Sequence, residues 1–151
     1  MGKLLNKLRI KFPKGWKDIS AENPEGPPTF LNVLIENSGV LQISTADFLA
    51  GSSPNPSLAD LVDLSRTVGL KNEFGSPQNE DSGNCEFGTF GCVQFSGSEF
   101  PHISVWHLSD GKNFVFATFI CTELPDREHI NEVKSIVISI KRKSFFESLF
   151  K

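Results

Sequence analysis

The chain has 151 residues, of which 38% are hydrophobic and 22% are charged. This length fits one domain with its own core, and the composition excludes a wholly disordered chain. No apolar run approaches the roughly 20 residues that span a bilayer, so we expect no transmembrane segment. Three scattered cysteines and an N-terminus unlike a signal peptide predict a cytoplasmic protein. We expect residues 1–151 to form a single domain, with 1–6 and 144–151 at its periphery.

The net charge of −3 is distributed unevenly along the chain. Residues 1–17 carry six basic groups and no acid, and residues 141–151 have a net charge of +3. The middle, residues 18–140, holds 17 acids and five bases, a net charge of −12. An acidic body attracts a basic protein and repels nucleic acid, so we predict no nucleic-acid binding. The alternative is that the charge serves solubility, with the basic ends neutralising the body where they pack on it.

Alternating apolar residues predict strands in the first third of the chain. The stretch KLRIKF (7–12) has the period of a half-buried strand, and Trp16 is expected to fold back onto the core after the break at PKGW. Two further strands, TFLNVLIE (29–36) and GVLQIST (39–45), are separated by a short turn. A helix follows in SLADLVDLSRTVGL (57–70), with Ser57 as its cap and Gly69 as its stop.

The next segments predict a loop and a hairpin. The polar stretch FGSPQNEDSGN (74–84) is expected to be an exposed, mobile loop, and CEFGTFGCVQFSG (85–97) to be a strand. In ISVWHLSDGKNFVFATFIC (103–121), Asp110-Gly111 predicts a two-residue turn that pairs Ser109 with Lys112 and His107 with Phe114. Both faces of this hairpin are apolar, which indicates a central position in a sheet covered on each side by helices.

The C-terminal third predicts two helices. The segment PDREHINEVKSIVISI (125–140) has one apolar stripe, and His129 is expected on its polar side. The stretch KSFFESLF (143–150) has a second apolar face, which either caps the sheet or meets a partner, a second copy or a membrane surface. Strands meandering between helices, without regular βαβ alternation, predict an α+β fold in which an antiparallel sheet of about six strands is sandwiched by helices.

No residue constellation in the sequence specifies catalysis, so we predict that the protein is not an enzyme. His102 and His107 point to opposite faces of one strand and cannot easily share a metal. The cysteines have no metal-ligand spacing and no adjacent base, and phosphate-loop and dinucleotide motifs are missing. We therefore expect no metal site and no cofactor.

Four stretches in chain order carry a resemblance: FPKGW (12–16), GVLQIS (39–44), WHLSDGKNFVFATF (106–119) and VKSIVISIK (133–141). Over residues 8 to about 142, the chain resembles the PsbP/Mog-type fold and is similar to small bacterial domains of unknown function. These motifs are structural. Members of the fold work as binding and assembly factors, so the resemblance implies a non-enzymatic role. Some compact bacterial proteins of similar build are immunity proteins that neutralise a secreted toxin.

These observations predict a cytoplasmic protein-binding module, in its most specific form an immunity protein that masks a basic toxin. A homodimer is also compatible with the apolar C-terminal segment. The alternative is a small-ligand or lipid-binding domain with a Phe-lined pocket between sheet and helix. The candidate partner-binding residues are the acids Glu22, Glu25, Asp60, Asp63, Glu73, Glu80 and Asp81, and the apolar residues Phe145, Phe146, Leu149 and Phe150.

Overall fold

The structure is a computed structural model that describes residues 7–46 and 51–143. Its elements are β1 (Leu8–Arg9), β2 (Trp16–Asp18), β3 (Thr29–Asn32), β4 (Val40–Ala46), α1 (Leu58–Lys71), β5 (Ser76–Asn84), β6 (Thr89–Ser96), β7 (His102–Ser109), β8 (Phe114–Cys121), α2 (Arg127–Ile138) and β9 (Lys141–Arg142), with a short 3₁₀ helix at Ser20–Glu22. Seven strands form one antiparallel sheet in the order β2-β3-β4-β8-β7-β6-β5, and β1 pairs with β9 separately.

The two helices lie on opposite faces of the sheet. Helix α1 packs mainly on β5, β6 and β7, where its Val62 joins Val93 and Val105. Helix α2 packs on the other face, where its Val133 and Val137 join a cluster that spans β4, β8, β7 and β6. The predicted α+β class, with an antiparallel sheet between helices, is confirmed.

The central hairpin of β7 and β8 is buried on both faces, but its predicted register is wrong by two residues. Ser109 pairs with Phe114, and His107 pairs with Phe116. The connection has four residues, 110–113, because the Asp110 carboxylate accepts hydrogen bonds from the backbone N–H groups of Lys112 (3.0 Å) and Asn113 (2.8 Å). Side chains alternate with period two, so the two-residue shift leaves every side chain on its predicted face.

Helix α1 begins as predicted and ends later. Ser57 and Asp60 form a capping box, in which each side chain accepts the other's backbone N–H. The predicted stop at Gly69 is wrong, because the helix continues to Lys71 with Asn72 as its C-cap. Gly69 instead lets α1 lie close to the sheet, because an added Cβ at this position would lie 2.0 Å from Cζ of Phe95.

Helix α2 begins at Asp126, whose carboxylate accepts the backbone N–H of His129 at 2.8 Å. Val133 and Val137 are fully buried, in line with the predicted apolar stripe. The expectation that His129 lies on the polar side is wrong. His129 is 6% exposed, and its Nε2 lies 2.5 Å from the carbonyl oxygen of Ser38, in the loop that precedes β4. The Nε2–H therefore donates to a backbone acceptor 91 residues away in sequence.

The polar stretch 74–84 is not a loop, and this corrects the sequence interpretation. It forms edge strand β5, paired with β6 from Ser76 opposite Ser96 to Asn84 opposite Thr89. A β-bulge lies between Pro77 and Asn79. Nearly all side chains of β5 are exposed, because an edge strand gains its stability from backbone pairing rather than burial. Charged and proline residues on such an edge discourage pairing with another chain.

The N-terminal strand is much shorter than predicted. In the stretch 7–12, β1 pairs with β9 over two residues, while Ile10 and Phe12 pack against the α2-side core without joining a ladder. The second predicted strand, TFLNVLIE (29–36), also ends early, at Asn32, and a loop over 33–39 leads into β4. Trp16 packs partly against the same core, as the sequence predicted.

Candidate functional site

The acidic residues predicted as one partner surface lie in separate places. Glu22 and Glu25 lie between β2 and β3, at one edge of the sheet. Glu80 and Asp81 lie on β5, the opposite edge strand. Asp60, Asp63 and Glu73 lie on α1 or just after it, and Asp60 is engaged in the helix cap. The fold therefore divides this set between two edges. The predicted Phe145, Phe146, Leu149 and Phe150 lie outside the described residues.

The two acids of β5 are ion-paired with helices on opposite faces of the sheet. Glu80 points to the α1 side and pairs with Arg66, which also pairs with Asp63 at 2.5 Å. Asp81 points to the α2 side and pairs with Lys134. These acids were expected to be solvated on a mobile loop, but they attach the edge strand to both helices. Part of the predicted acidic surface is thus neutralised within the fold.

A different acidic surface occupies the end of the sheet where β3, β4 and β8 meet the start of α2. This acidic cleft has a volume of about 440 Å³ and contains five carboxylates and no lysine or arginine among the described residues that line it. Its lining residues are Ile35, Glu36, Asn37, Glu123, Leu124, Pro125, Asp126, Glu128, His129 and Glu132. They come from the β3–β4 loop, the β8–α2 loop and the first half of α2.

The two loops that form the same cleft carry exposed apolar side chains, of which Ile35 and Leu124 line it. Within the described ranges, seven large hydrophobic residues are exposed, and four of them lie on the two loops that form the cleft. Leu124 is 75% exposed and Leu34 is 66% exposed, and Val33 and Ile35 flank Leu34. Burial of such residues in a partner would be favourable, whereas their exposure in the free protein is costly.

Two lining residues of the acidic cleft, His129 and Glu132, contact a cluster of aromatic rings. The indole Nε1–H of Trp16 donates to Oε2 of Glu132 at 3.3 Å, and the same oxygen lies 3.6 Å from Nδ1 of His129. The rings of Trp16 and His129 are stacked with centroids 6.0 Å apart, and Phe119 meets His129 edge-on. Nδ1 of His129 is fully buried without a hydrogen-bond partner in the described part of the chain. These contacts hold His129 and Glu132 in place, and Nδ1 of His129 is buried behind the surface of the cleft.

Sequence reasoning missed this cleft although part of its signal was present. The stretch 122–132 holds four of the five carboxylates next to an exposed leucine, but a helix start rich in acids is also what capping and the helix dipole favour. Glu36 is 87 positions from Glu123 in the chain and joins it only because β4 and β8 are neighbours in the sheet.

The other histidines and the cysteines are placed for structure. His107 Nδ1 lies 2.8 Å from Oγ of Ser65, but Ser65 lies on the inner face of α1 and is fully buried. Burial lowers the pKa of His107 to about 4 and also lowers the pKa of His102. His102 and His107 lie on opposite faces of β7, as predicted.

Burial also keeps the thiols protonated. Desolvation raises the pKa of Cys92 to about 12, with a smaller contribution from Asp81, and it raises the pKa of Cys121 to about 12. The pKa of Cys85 is raised as well, mainly by burial. A protonated thiol is a poor nucleophile and a poor metal ligand. Within residues 7–46 and 51–143, no cluster of three histidine, cysteine, aspartate or glutamate side chains could hold a metal ion.

None of the helices in the described ranges is long and apolar enough to cross a membrane.

The fold recurs in solved structures of low sequence identity. A crystal structure from Bacteroides thetaiotaomicron VPI-5482 has a TM-score of 0.55 and 16% identity, covering 93% of this chain and 47% of that one. The present chain therefore spans about half the length of that protein. The solution structure of cyanobacterial PsbP (CyanoP) from Synechocystis sp. PCC 6803 has a TM-score of 0.54 and 12% identity, covering 94% of this chain and 90% of that one. No protein-family profile and no curated protein matches the sequence. This likeness establishes the architecture, and the chain has a PsbP-like α+β fold.

Proposed function

We propose that the protein is a non-enzymatic protein-binding module that receives a basic, partly apolar segment of its partner in the acidic cleft. The observation that carries the proposal is the coincidence of two features at one end of the sheet. Five carboxylates line the cleft, with no lysine or arginine among its described lining residues, and its two loops carry four of the seven large hydrophobic residues that are exposed in the described ranges. Either feature alone is common on protein surfaces. Together they match an interface with a hydrophobic centre and a charged rim.

Charge and apolar area have different roles in this interaction. Glu36, Glu123 and Glu128 are exposed and would attract a basic partner and accelerate its approach. Leu124 and Leu34 would supply affinity, because each removes a large apolar surface from water on binding. Stacking on Trp16 holds the lining residue His129 in place before the partner arrives, which reduces the entropic cost of binding.

The most specific form of the proposal is an immunity protein in the cytoplasm that masks a basic toxin. A compact fold and an acidic body support a role that depends on blocking a partner's surface. The basic residues 7–17 of a second copy are another surface that the cleft could accept, so self-association is a distinct outcome of the test.

The proposal is tested with the intact chain as bait and the products of adjacent genes co-expressed. We expect a stoichiometric complex with one basic protein at micromolar concentration. The double substitution Glu36→Lys/Glu123→Lys should slow its association by about tenfold or more at low salt, and by less at high salt. If the partner is toxic, co-expression should protect cells, and the double variant should lose this protection.

The matched control is Glu22→Lys/Glu25→Lys, which makes the same charge change at exposed positions away from the cleft. Equal weakening by both double variants would overturn the cleft as the binding site. Absence of any stoichiometric protein complex, with the fold intact by circular dichroism, would overturn the function itself. A complex containing only this chain would identify a homodimer instead.

A second candidate function is the binding of an apolar ligand or lipid. A groove of about 300 Å³ beside α1 is lined by Leu64, Phe114 and Phe116, with His107 at its base. Phe114 and Phe116 are half-buried here, unlike the fully covered phenylalanines of the core. An apolar dye that binds the protein and is displaced by a fatty acid, with loss of both effects in Phe116→Ser, would support this function. A dye that does not bind would exclude it.

A further inference from the structure

A second cavity lies on the α2 face, between α2 and the edge formed by β5 and β6. It has a volume of about 270 Å³, and we call it the amide groove. Its polar and aromatic lining residues are Asn79, Glu80, Asp81, Gln94, Trp106, Asn131 and Lys134. It is separate from the acidic cleft, with which it shares no lining residue. Its size is close to the lower limit for small-molecule sites.

The floor of the amide groove contains an unused hydrogen-bond donor. Trp106 is 2% exposed, and its indole Nε1–H donates to no group of the described residues. Among those residues, the one fully buried side-chain nitrogen or oxygen without a partner is Nδ1 of His129. Nε1 of Trp106 therefore keeps contact with solvent-accessible space, and the amide groove is the cavity that Trp106 lines. A buried indole N–H normally finds an acceptor.

The walls present further unused donors and acceptors. Asn79 Nδ2 donates to Gln94 Oε1 at 3.2 Å, which leaves Asn79 Oδ1 and Gln94 Nε2 without a partner among the described residues. The carboxamide of Asn131, on α2, makes no hydrogen bond within the same ranges. Three carboxamides thus offer both donors and acceptors around one indole N–H.

The β-bulge in β5 creates this arrangement. The bulge places Asn79 opposite Gln94 and Asp81 opposite Cys92, on the α2 side of the sheet. If the regular pairing of Pro77 with Phe95 continued without the bulge, Asn79 would lie opposite Val93, and Asn79 and Asp81 would face α1 instead. Bulges often redirect side chains next to functional sites.

The charge in the groove is already balanced. Asp81 and Lys134 pair with each other across it, and Glu80 directs its carboxylate to Arg66 on the other side of the strand. A charged ligand would have to break the Asp81–Lys134 pair, whereas a neutral one would not. The Cys92 thiol at the floor is protonated because burial raises its pKa, so it offers no covalent attachment.

We propose that the amide groove binds a small, neutral, polyhydroxylated molecule, for which a monosaccharide is the simplest representative. A hydroxyl group both donates and accepts, so it matches carboxamides that present both functions. One hydroxyl oxygen accepts the Trp106 indole N–H, and its neighbours pair with Asn79, Gln94 and Asn131. The Asp81–Lys134 pair closes the side of the groove and stays intact.

The test uses the two tryptophan indole N–H signals in a ¹H–¹⁵N NMR spectrum of the intact chain. Trp16→Phe assigns them, since the chain contains two tryptophans. The probes are glucose, galactose, mannose and N-acetylglucosamine, each titrated separately. We expect at least one to shift the Trp106 signal in a saturable manner. The Trp16 signal is an internal control, because its N–H is already bonded to Glu132.

Asn131→Ala then locates the site. Asn131 is exposed and makes no hydrogen bond that folding needs, so the variant should fold normally and bind the sugar about tenfold more weakly. Ser135→Ala, one turn further along α2, is the matched control and should bind like the unmodified chain. The proposal is overturned if no sugar shifts Trp106, if glutamate or arginine shifts it and no sugar does, or if Asn131→Ala binds unchanged.

Discussion

The two faces of the central sheet carry similar apolar patterns and are covered to different extents. On the α2 face, sixteen buried hydrophobic residues of the described part form one cluster. They come from α2, from β1 and from strands of the sheet. On the α1 face, five buried residues of the same described part form the corresponding cluster, and α1 packs mainly on three of the seven strands. Phe114 and Phe116 of β8 are half-buried beside it. Apolar alternation therefore indicates which faces are buried, but not how completely a helix covers them.

The largest expected effect is the loss of stability when a large aromatic side chain is truncated on each of the two faces. Trp106 lies in the α2-side cluster, and Trp106→Ala should lower the free energy of unfolding by about 3–5 kcal/mol. Phe116 lies at the open part of the α1 face, and Phe116→Ala should cost clearly less, about 2 kcal/mol, because water already reaches its ring. Urea denaturation of both variants measures the difference. Equal costs would mean that the α1 face is covered as completely as the α2 face.

The second prediction concerns pH and the α1 face. The folded protein keeps His107 neutral down to a pKa of about 4, whereas the unfolded chain binds a proton near pH 6.5. The unfolded state thus holds more protons between these values, so stability is lost as the pH falls from about 6.5 towards 4 and stays constant with respect to this group above 6.5. The loss should be on the order of 3 kcal/mol.

Denaturation midpoints across that pH range measure this loss. His107→Gln keeps an acceptor for Ser65 and cannot titrate, so its stability should depend less steeply on pH. A variant with an unchanged pH profile would show that His107 is not the group responsible.

The third prediction tests how closely each helix approaches the sheet. Gly91 faces α1, and an added Cβ would lie 2.4 Å from the backbone nitrogen of Val62. Gly91→Ala should therefore displace α1 and cost about 1–3 kcal/mol. Gly83, on the α2 side, has its nearest contact at 3.5 Å, an ordinary distance to the Phe90 ring. Gly83→Ala is the matched control and should be close to neutral in thermal denaturation.

The smallest effect concerns the ion pairs of the edge strand. Glu80→Lys places a positive charge next to Arg66 on the α1 side, and Asp81→Lys places one next to Lys134 on the α2 side. Each pair is partly exposed and screened by solvent, so each substitution should lower the midpoint of thermal denaturation only slightly and leave the fold intact. Hydrogen exchange of the β5 amides provides the finer measurement. A collapse of the fold in either variant would show that the ion pairs, and not the backbone ladder, hold the edge strand.

Strand and helix periodicities could be interpreted correctly where the sequence also carries a local signal, such as a capping residue or a turn. Ser57 predicted the start of α1, and the alternation of β7 and β8 predicted a hairpin buried on both faces. The sequence failed where a residue has two roles. Gly69 is a residue type that often ends a helix, but here it packs against Phe95 within α1. His129 has acidic neighbours in the sequence, but its ring bonds to the carbonyl oxygen of Ser38.

The sequence by itself determined the α+β class and the central position of the hairpin, because both depend on periodicities within a few residues. Four motifs in chain order carried the resemblance to the PsbP-type fold. The tertiary structure alone decided the register of β7 and β8, the bulge that turns Asn79 towards α2, and the meeting of Glu36 with Glu123. Each of these depends on pairing between segments far apart in the chain. A one-residue change in such pairing reverses which side chains face which helix, and no local pattern records it.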